Sequence, residues 1–132
     1  MATIQLTPFT TTDRVLCVCQ YGHSRSVALA RLLHSQNIQA VSIGWQTAGR
    51  KFIEMLVLES TKVVTLQDGY LGKILNQIDC LAPPHVCLDV GPDRWVNPYN
   101  AELADLLSKM FTSYQADPRP HVTPADVGYV LP

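Results

Sequence analysis

The chain has 132 residues, of which 47% are hydrophobic and 16% are charged, a composition typical of one globular domain and not of a disordered segment. Its formal net charge of −1 gives no reason to expect a nucleic acid or an anionic membrane surface as a partner. No apolar run approaches the length of a membrane span. We therefore predict neither nucleic-acid binding nor membrane insertion.

The N-terminal residues contain no basic segment followed by an apolar one, so we expect no secretory signal there. The chain contains 4 cysteines. Without such a signal they are expected to remain reduced thiols, which predicts a cytoplasmic protein.

Apolar runs and helical spacing predict strands and helices that alternate along the chain. The predicted strands cover 14–18, 39–43, 62–66 and 85–90. The predicted helices cover 25–36, 51–59, 69–78 and a last segment that begins at Asn97 or Asn100 and ends near 111. The helix caps and the Ala82-Pro83-Pro84 break set several of these limits.

The order βαβαβαβα and the continuous apolar strands indicate strands that are covered on both faces. We expect a three-layer α/β fold with a doubly wound, four-stranded parallel sheet and helices on both faces. In this scheme a domain spans 1–111, of which 1–13 form a loose or edge-lying arm. The Pro-rich segment 112–132 is expected to be an irregular tail, laid on the surface or docked on a second copy as a homodimer.

The loop after the first strand carries the pattern Cys-x5-Arg-Ser, with Cys19, Arg25 and Ser26 at its fixed positions. A loop that leads into a helix N-terminus directs backbone N–H groups at one centre, which suits a phosphate. The planar guanidinium of Arg25 can bind two phosphate oxygens. The same surroundings favour the thiolate of Cys19, and Ser26 can hydrogen-bond to that sulfur when it leaves.

The pattern thus predicts a phosphate-binding loop with Cys19 as nucleophile and Arg25 as its catalytic cation. Gly22 is expected to accept a positive φ in the middle of the loop. The residues expected to bind the substrate are Gln20, Tyr21, Gly22, His23, Ser24 and Ser26. The alternative without chemistry is a buried cysteine at a strand end followed by an arginine on the next helix.

Residues 14–111 resemble the low-molecular-weight protein tyrosine phosphatase family, in particular its small bacterial and phage-like relatives. The loop follows the N-terminal strand, as in that family, and Gln46-Thr47-Ala48-Gly49 is similar to the family's Ser-Ala-Gly-Thr stretch. The segment Gly91-Pro92-Asp93-Arg94-Trp95 is similar to the Asp-Pro-Tyr loop that carries the family's general acid. One departure is Tyr21-Gly22, where the family usually has Gly-Asn.

The resemblance implies a phosphomonoester hydrolase that forms a phosphocysteine and needs no metal or organic cofactor. Its substrate would be a phosphorylated protein or a small phosphomonoester. Asp93 is the preferred general acid, because an aromatic residue stands two places after it, as in the family's loop. Asp89, at the end of the last predicted strand, is the alternative, and a chain with neither as its acid is a third.

Two other functions remain open. Thioredoxin-coupled arsenate reductases share this fold and use two further cysteines, for which Cys80 and Cys87 are the candidates here. Their first resolving cysteine follows a Val-Val-Thr-Leu strand, whereas this chain has Gln67 after Val63-Val64-Thr65-Leu66. The other function is a catalytically silent module that binds phosphate or a phosphopeptide. His34, His85 and His121 are too scattered in the sequence to predict a metal site.

Overall fold

The computed structural model describes residues 6–69, 72–73, 83–92, 94–95 and 97–129. The predicted helix over 69–78 lies mostly outside these residues, and Cys80 and Asp93 lie entirely outside them. The elements are β1 (Arg14–Cys19), α1 (Arg25–Ser35), β2 (Gln39–Gly44), α2 (Arg50–Glu59), β3 (Lys62–Thr65), β4 (His85–Leu88), α3 (Ala101–Ala116), β5 (His121–Val122) and a 3-10 turn (Pro124–Val127). Among the described residues, no helix combines the length and the apolar character needed to cross a membrane.

The strands form one parallel sheet in the order β2-β1-β3-β4-β5. The prediction of an α/β fold with a parallel sheet is confirmed. The sheet has five strands where four were expected, because His121–Val122 pairs with β4. Two backbone hydrogen bonds hold this edge strand: Cys87 N–H donates to the Pro120 carbonyl at 2.8 Å, and Asp89 N–H donates to the Val122 carbonyl at 2.9 Å.

The segment expected to be an irregular tail is ordered and packs on its own domain. Helix α3 continues to Ala116, five residues beyond the predicted end, because Tyr114 is fully buried on its inner face. After β5, Thr123 and Asp126 form a capping box that begins the 3-10 turn. The prediction of an irregular tail after residue 111 is therefore wrong for its described part.

The described part of the N-terminal arm also packs against the domain. Phe9 is buried and stacks on Phe111, with ring centroids 5.9 Å apart, and it contacts the Tyr114 ring at 4.8 Å. The Gln115 side chain accepts from Phe9 N–H at 2.7 Å and donates to the Phe9 carbonyl at 2.9 Å. Residues 6–13 are thus fixed to the domain and are not a loose arm, because the buried Phe9 ring and its hydrogen-bonded backbone hold them to α3.

Two clusters of buried apolar side chains lie against the sheet. Residues 15, 17 and 19 of β1 belong to the larger cluster and residues 16 and 18 to the smaller one. Because successive residues of a strand point to opposite faces, the two clusters cover the two faces of β1. Helices α1 and α3 contribute to the larger cluster, and α2 contributes Ile53 and Val57 to the smaller one.

Candidate active site

The predicted loop lies at the carboxyl end of β1, between Cys19, the last residue of that strand, and Arg25, the first residue of α1. The Cys19 Sγ atom lies 3.1 Å from Ser26 Oγ. The backbone N–H of Gly22 donates to the same sulfur at 3.2 Å. The loop therefore curves around the sulfur, as the Cys-x5-Arg-Ser spacing predicts, and Ser26 reaches Cys19 from the first turn of the helix.

A pair of glycines sets the shape of the loop. Gly22 has a φ of +77°, in the left-handed region that the sequence predicted for it. Gly44, at the end of β2, lies directly against it: a Cβ added to Gly44 would come within 2.2 Å of the Tyr21 carbonyl carbon. The structure requires glycine at 44 to let β2 approach the loop, a role that the sequence alone did not reveal.

Residues after β2 hold the loop through backbone hydrogen bonds. Trp45 N–H donates to the Cys19 carbonyl and Gln46 N–H to the Gln20 carbonyl, both at 3.0 Å. The Thr47 hydroxyl donates to the Tyr21 carbonyl at 3.1 Å. The segment that resembled the family's Ser-Ala-Gly-Thr stretch thus supports the loop from the β2 side.

The Arg25 side chain is fully buried and links the loop to the carboxyl ends of two other strands. Its Nη1 donates to Gln67 Oε1 at 2.9 Å, just after β3, and to the Gly91 carbonyl at 2.7 Å, just after β4. These contacts orient the guanidinium toward the segments that follow β3 and β4. Gln67 is a residue of the site that sequence reasoning missed, although its place directly after a parallel strand was a usable signal.

The other predicted loop residues differ in exposure. Ser24 is buried at the start of α1, whereas Tyr21 and His23 are exposed. The Gln20 side chain donates to Gln46 Oε1 at 2.8 Å. All of these residues lie in one short loop, so the structure keeps them together as expected.

An open cleft of about 420 Å³ adjoins the loop. Tyr21 and Gly22 form one side, and Thr47 and Phe52 are among the residues of the other. Tyr21 and Phe52 are 42% and 49% exposed, so each presents an aromatic ring to this cleft. This cleft can therefore contact an aromatic group beside Tyr21 and Gly22, although neither Cys19 nor Arg25 is among the residues that line it.

Of the two candidate acids, only Asp89 lies in the described part of the chain. Its Oδ1 accepts from Gly91 N–H at 3.0 Å, and its Oδ2 lies 3.2 Å from Nε2 of His121. The carboxylate is thus engaged with the turn after β4 and with β5. Asp93 lies outside the described residues, between Pro92 and the described pair Arg94 and Trp95, and its role stays a prediction.

The other described thiols have surroundings unlike those of Cys19. Burial, followed by the neighbouring Cys19 sulfur, raises the pKa of Cys17 far above its ordinary value. Burial is also the main cause that raises the pKa of Cys87 to about 12, and the charges of Asp89 and Asp68 act in the same direction. Both thiols are therefore poor nucleophiles near neutral pH.

Cys87, Asp89 and His121 form a second cluster of polar side chains, with potential metal-ligand atoms that all lie within 4.8 Å of one another. The sequence did not predict it, because 32 positions separate Asp89 from His121. Only the pairing of β5 with β4 brings them together.

Comparisons of the chain with protein-family models, with curated proteins and with solved structures find no match in any of the three. The assignment of a function therefore depends on the residues of the loop and on their geometry.

Proposed function

We propose that this chain is a cysteine-dependent phosphomonoester hydrolase, similar to the low-molecular-weight protein tyrosine phosphatases, that works through a phosphocysteine intermediate. One observation carries the proposal. The Cys19 sulfur lies 3.1 Å from Ser26 Oγ and 3.2 Å from the backbone nitrogen of Gly22, and Arg25, where the loop meets α1, is buried. This combination matches what thiolate attack on a phosphoryl group requires.

In the first step the Cys19 thiolate attacks phosphorus, so that a P–S bond forms and the ester P–O bond breaks. Asp93 gives a proton to the leaving oxygen. In the second step Asp93 takes a proton from a water molecule as that water attacks phosphorus. The P–S bond then breaks, inorganic phosphate leaves, and the Ser26 hydroxyl donates a hydrogen bond to the returning thiolate.

Arg25 and the backbone N–H groups of residues 20–25 bind the phosphoryl oxygens in this scheme. The contacts of Arg25 with Gln67 and with the Gly91 carbonyl support this role, because a guanidinium that is already oriented loses little freedom when it binds an anion. The Gly91 contact also connects the arginine to the segment that contains Asp93.

The proposed substrate is a phosphorylated protein or a small phosphomonoester, with an aryl ester favoured by the exposed rings of Tyr21 and Phe52. The free thiols of Cys17, Cys19 and Cys87 support a reducing, cytoplasmic location. The two apolar clusters support the doubly wound, three-layer arrangement. A homodimer through the C-terminal segment stays a prediction, and no metal or organic cofactor takes part in the proposed reaction.

Among the residues that the structure describes, nothing favours arsenate reduction or a catalytically silent binding module over hydrolysis. A resolving thiol in arsenate reduction must act as a nucleophile, and a pKa of about 12 leaves Cys87 almost entirely protonated near neutral pH. Cys80, the other candidate for that role, lies outside the described residues. A silent binding module would keep the loop geometry, so only turnover distinguishes it from an enzyme.

The test is hydrolysis of an aryl phosphate by the full chain, without added thiol and with a metal chelator present. The wild type and Cys87→Ser should both turn over, whereas Cys19→Ser should bind phosphate and hydrolyse nothing. Iodoacetate at mildly acidic pH should modify Cys19 first, and phosphate should protect it. Phosphate binding by the wild type without turnover of any ester would replace the enzyme with the binding module. Thiol-dependent arsenate reduction that Cys87→Ser abolishes would establish the reductase.

A further inference from the structure

The β4–β5 edge of the sheet carries three side chains that the proposed hydrolysis does not use. Cys87 lies in β4, Asp89 follows that strand, and His121 begins β5. Their potential ligand atoms all lie within 4.8 Å of one another. We call these three residues the edge cluster.

The strand register explains why the edge cluster forms. Cys87 and His121 are paired across the parallel ladder, so their side chains lie on the same face. Asp89 is two residues after Cys87 and shares that face. The backbone bonds of Cys87 and Asp89 to residues 120 and 122 fix this alignment. The cluster is thus held by backbone pairing and does not depend on the chance orientation of long side chains.

We propose that the edge cluster binds a zinc ion, with the Cys87 thiolate, the Asp89 carboxylate and the His121 imidazole as ligands. These are the three side-chain types that zinc prefers, and three protein ligands leave a fourth position for water or another group. Asp89 Oδ2 and His121 Nε2 are 3.2 Å apart. Tetrahedral zinc places its ligand atoms about 3.5 Å apart, so this pair needs little adjustment.

The charges around the edge cluster favour a cation. Asp68 and Asp89 both act electrostatically on the Cys87 thiol, and Asp126 interacts with His121. Arg119 partly offsets the negative charge of Asp126, because its Nη2 lies 3.8 Å from the Asp126 carboxylate. Cys87 is only partly buried, and the side chains of His121 and Asp89 are 45% and 20% exposed. A metal ion can therefore reach the ligands from solvent, and the incoming ion displaces the thiol proton to the solvent.

Zinc at this position would join β5 to β4. The strand has two residues and lies at the edge of the sheet. A metal that bridges both strands would stabilise the folded chain, because it binds the native pairing and not the separated segments. It would also fix Asp89 away from any role as a general acid.

Cobalt titration of the metal-free 132-residue chain tests the proposal, because a thiolate bound to Co²⁺ gives a charge-transfer band in the near ultraviolet. We expect this band at one equivalent of metal, and a higher melting temperature when zinc is added. Cys87→Ser should abolish the band. His121 is exposed, so the fold should tolerate His121→Gln. This variant should weaken zinc binding by at least about 10–100-fold, because losing a residue that only hydrogen-bonds to a metal ligand already has an effect of that size.

Two matched variants serve as controls. Cys19→Ser removes the thiol of the phosphate-binding loop, and His85→Gln removes an exposed histidine on the same strand as Cys87; both should keep the band and the zinc affinity. The proposal is overturned if no band appears, if the band survives in Cys87→Ser, or if His121→Gln binds zinc as tightly as the wild type. Circular dichroism of the metal-free variants checks that each one folds.

Discussion

The loop that begins at Cys19 and the two terminal segments, residues 6–13 and 117–129, are built in opposite ways. The loop is contiguous: eight positions from Cys19 to Ser26 contain the proposed nucleophile, the proposed phosphate-binding cation and the residue that contacts the sulfur. The terminal segments are joined to the domain by partners far away in the chain, such as Gln115 for Phe9 and β4 for His121. The residues of the loop can therefore be recognised from the sequence, whereas the long-range packing of the chain ends cannot.

The sharpest test of this contrast concerns the two aspartates after β4: Asp93 is the proposed acid for the chemistry at Cys19, and Asp89 contacts His121 of the C-terminal segment. General acid catalysis is typically worth roughly 10²–10⁴-fold. Asp93→Asn should therefore slow phosphotyrosine hydrolysis by about that factor, and should slow a dinitrophenyl ester much less because its leaving group needs no proton. It should also remove the basic limb of the pH profile.

Asp89→Asn is the matched control, because its carboxylate contacts Gly91 N–H and His121. It should lower stability while leaving the rates with both esters close to those of the wild type. The reverse pattern would move the acid to Asp89. Small and equal effects in both variants would mean that the chain has no dedicated acid.

The second largest effect concerns the ion pair that anchors the N-terminal segment. Lys62 Nζ lies 2.7 Å from Asp13 Oδ2, and both side chains are almost fully buried. Removing one partner of such a pair leaves an uncompensated charge, so Lys62→Met should lower the free energy of unfolding by about 3–5 kcal/mol. Urea denaturation measures this. Lys109→Met, which breaks the exposed pair with Asp105, should cost no more than about 0.5 kcal/mol.

The pH dependence of this pair has a definite sign. Burial raises the pKa of Asp13, but hydrogen bonds from Lys62, Thr61 and Thr10 outweigh it and hold the pKa below the ordinary value of 3.8. A carboxyl with a lowered folded-state pKa stabilises the fold above its unfolded pKa. This contribution is complete above about pH 4 and is lost as the pH falls through the folded pKa. Asp13→Asn should remove that part of the acid dependence, and an unchanged acid limb would contradict the assignment.

The contrast between the loop and the terminal segments also shows which parts of the structure can be predicted from the sequence. The three helices and first four strands that the structure describes follow apolar patterns within short segments, and the Cys-x5-Arg-Ser spacing identified the loop directly. The two-residue β5 has no pattern of its own, since its pairing depends on β4. Thr123-Pro124-Ala125-Asp126 did carry a usable signal, because a capping threonine, a proline and an acid at the third helical position predict a helix start.

Gly44 lies outside the loop but contacts its backbone, so the shape of the loop depends on more than its own residues. This contact provides the third test. A methyl group there would meet the Tyr21 backbone, which cannot move aside as a side chain can. Gly44→Ala should therefore cost about 1–3 kcal/mol of stability and should reduce phosphate affinity by displacing the loop. Gly49→Ala is the control, because a Cβ at 49 would meet nothing within 4 Å. Wild-type phosphate binding by Gly44→Ala would show that the loop is independent of β2.

The smallest expected effect lies at the other end of the N-terminal segment, where the Tyr114 hydroxyl donates to the Thr7 carbonyl at 2.7 Å. Tyr114→Phe removes one hydrogen bond and should cost about 1 kcal/mol at neutral pH. Burial, followed by the charge of Asp13, raises the pKa of Tyr114 to about 12 from its ordinary 10.0.

The pKa of Tyr114 adds a pH signature that a simple packing defect would lack. Between pH 10 and about 12 the unfolded chain loses this phenol proton while the folded chain keeps it, so the wild type loses stability as the pH rises. Tyr114→Phe cannot titrate, and its deficit relative to the wild type should shrink over that range. Tyr99→Phe, at an exposed position, should change neither the neutral stability nor the alkaline limb. Parallel stability curves for Tyr114→Phe and the wild type would mean that the hydroxyl does not anchor the N-terminal segment, and that the Phe9 packing, the Gln115 hydrogen bonds and the Lys62–Asp13 pair hold it without the hydroxyl.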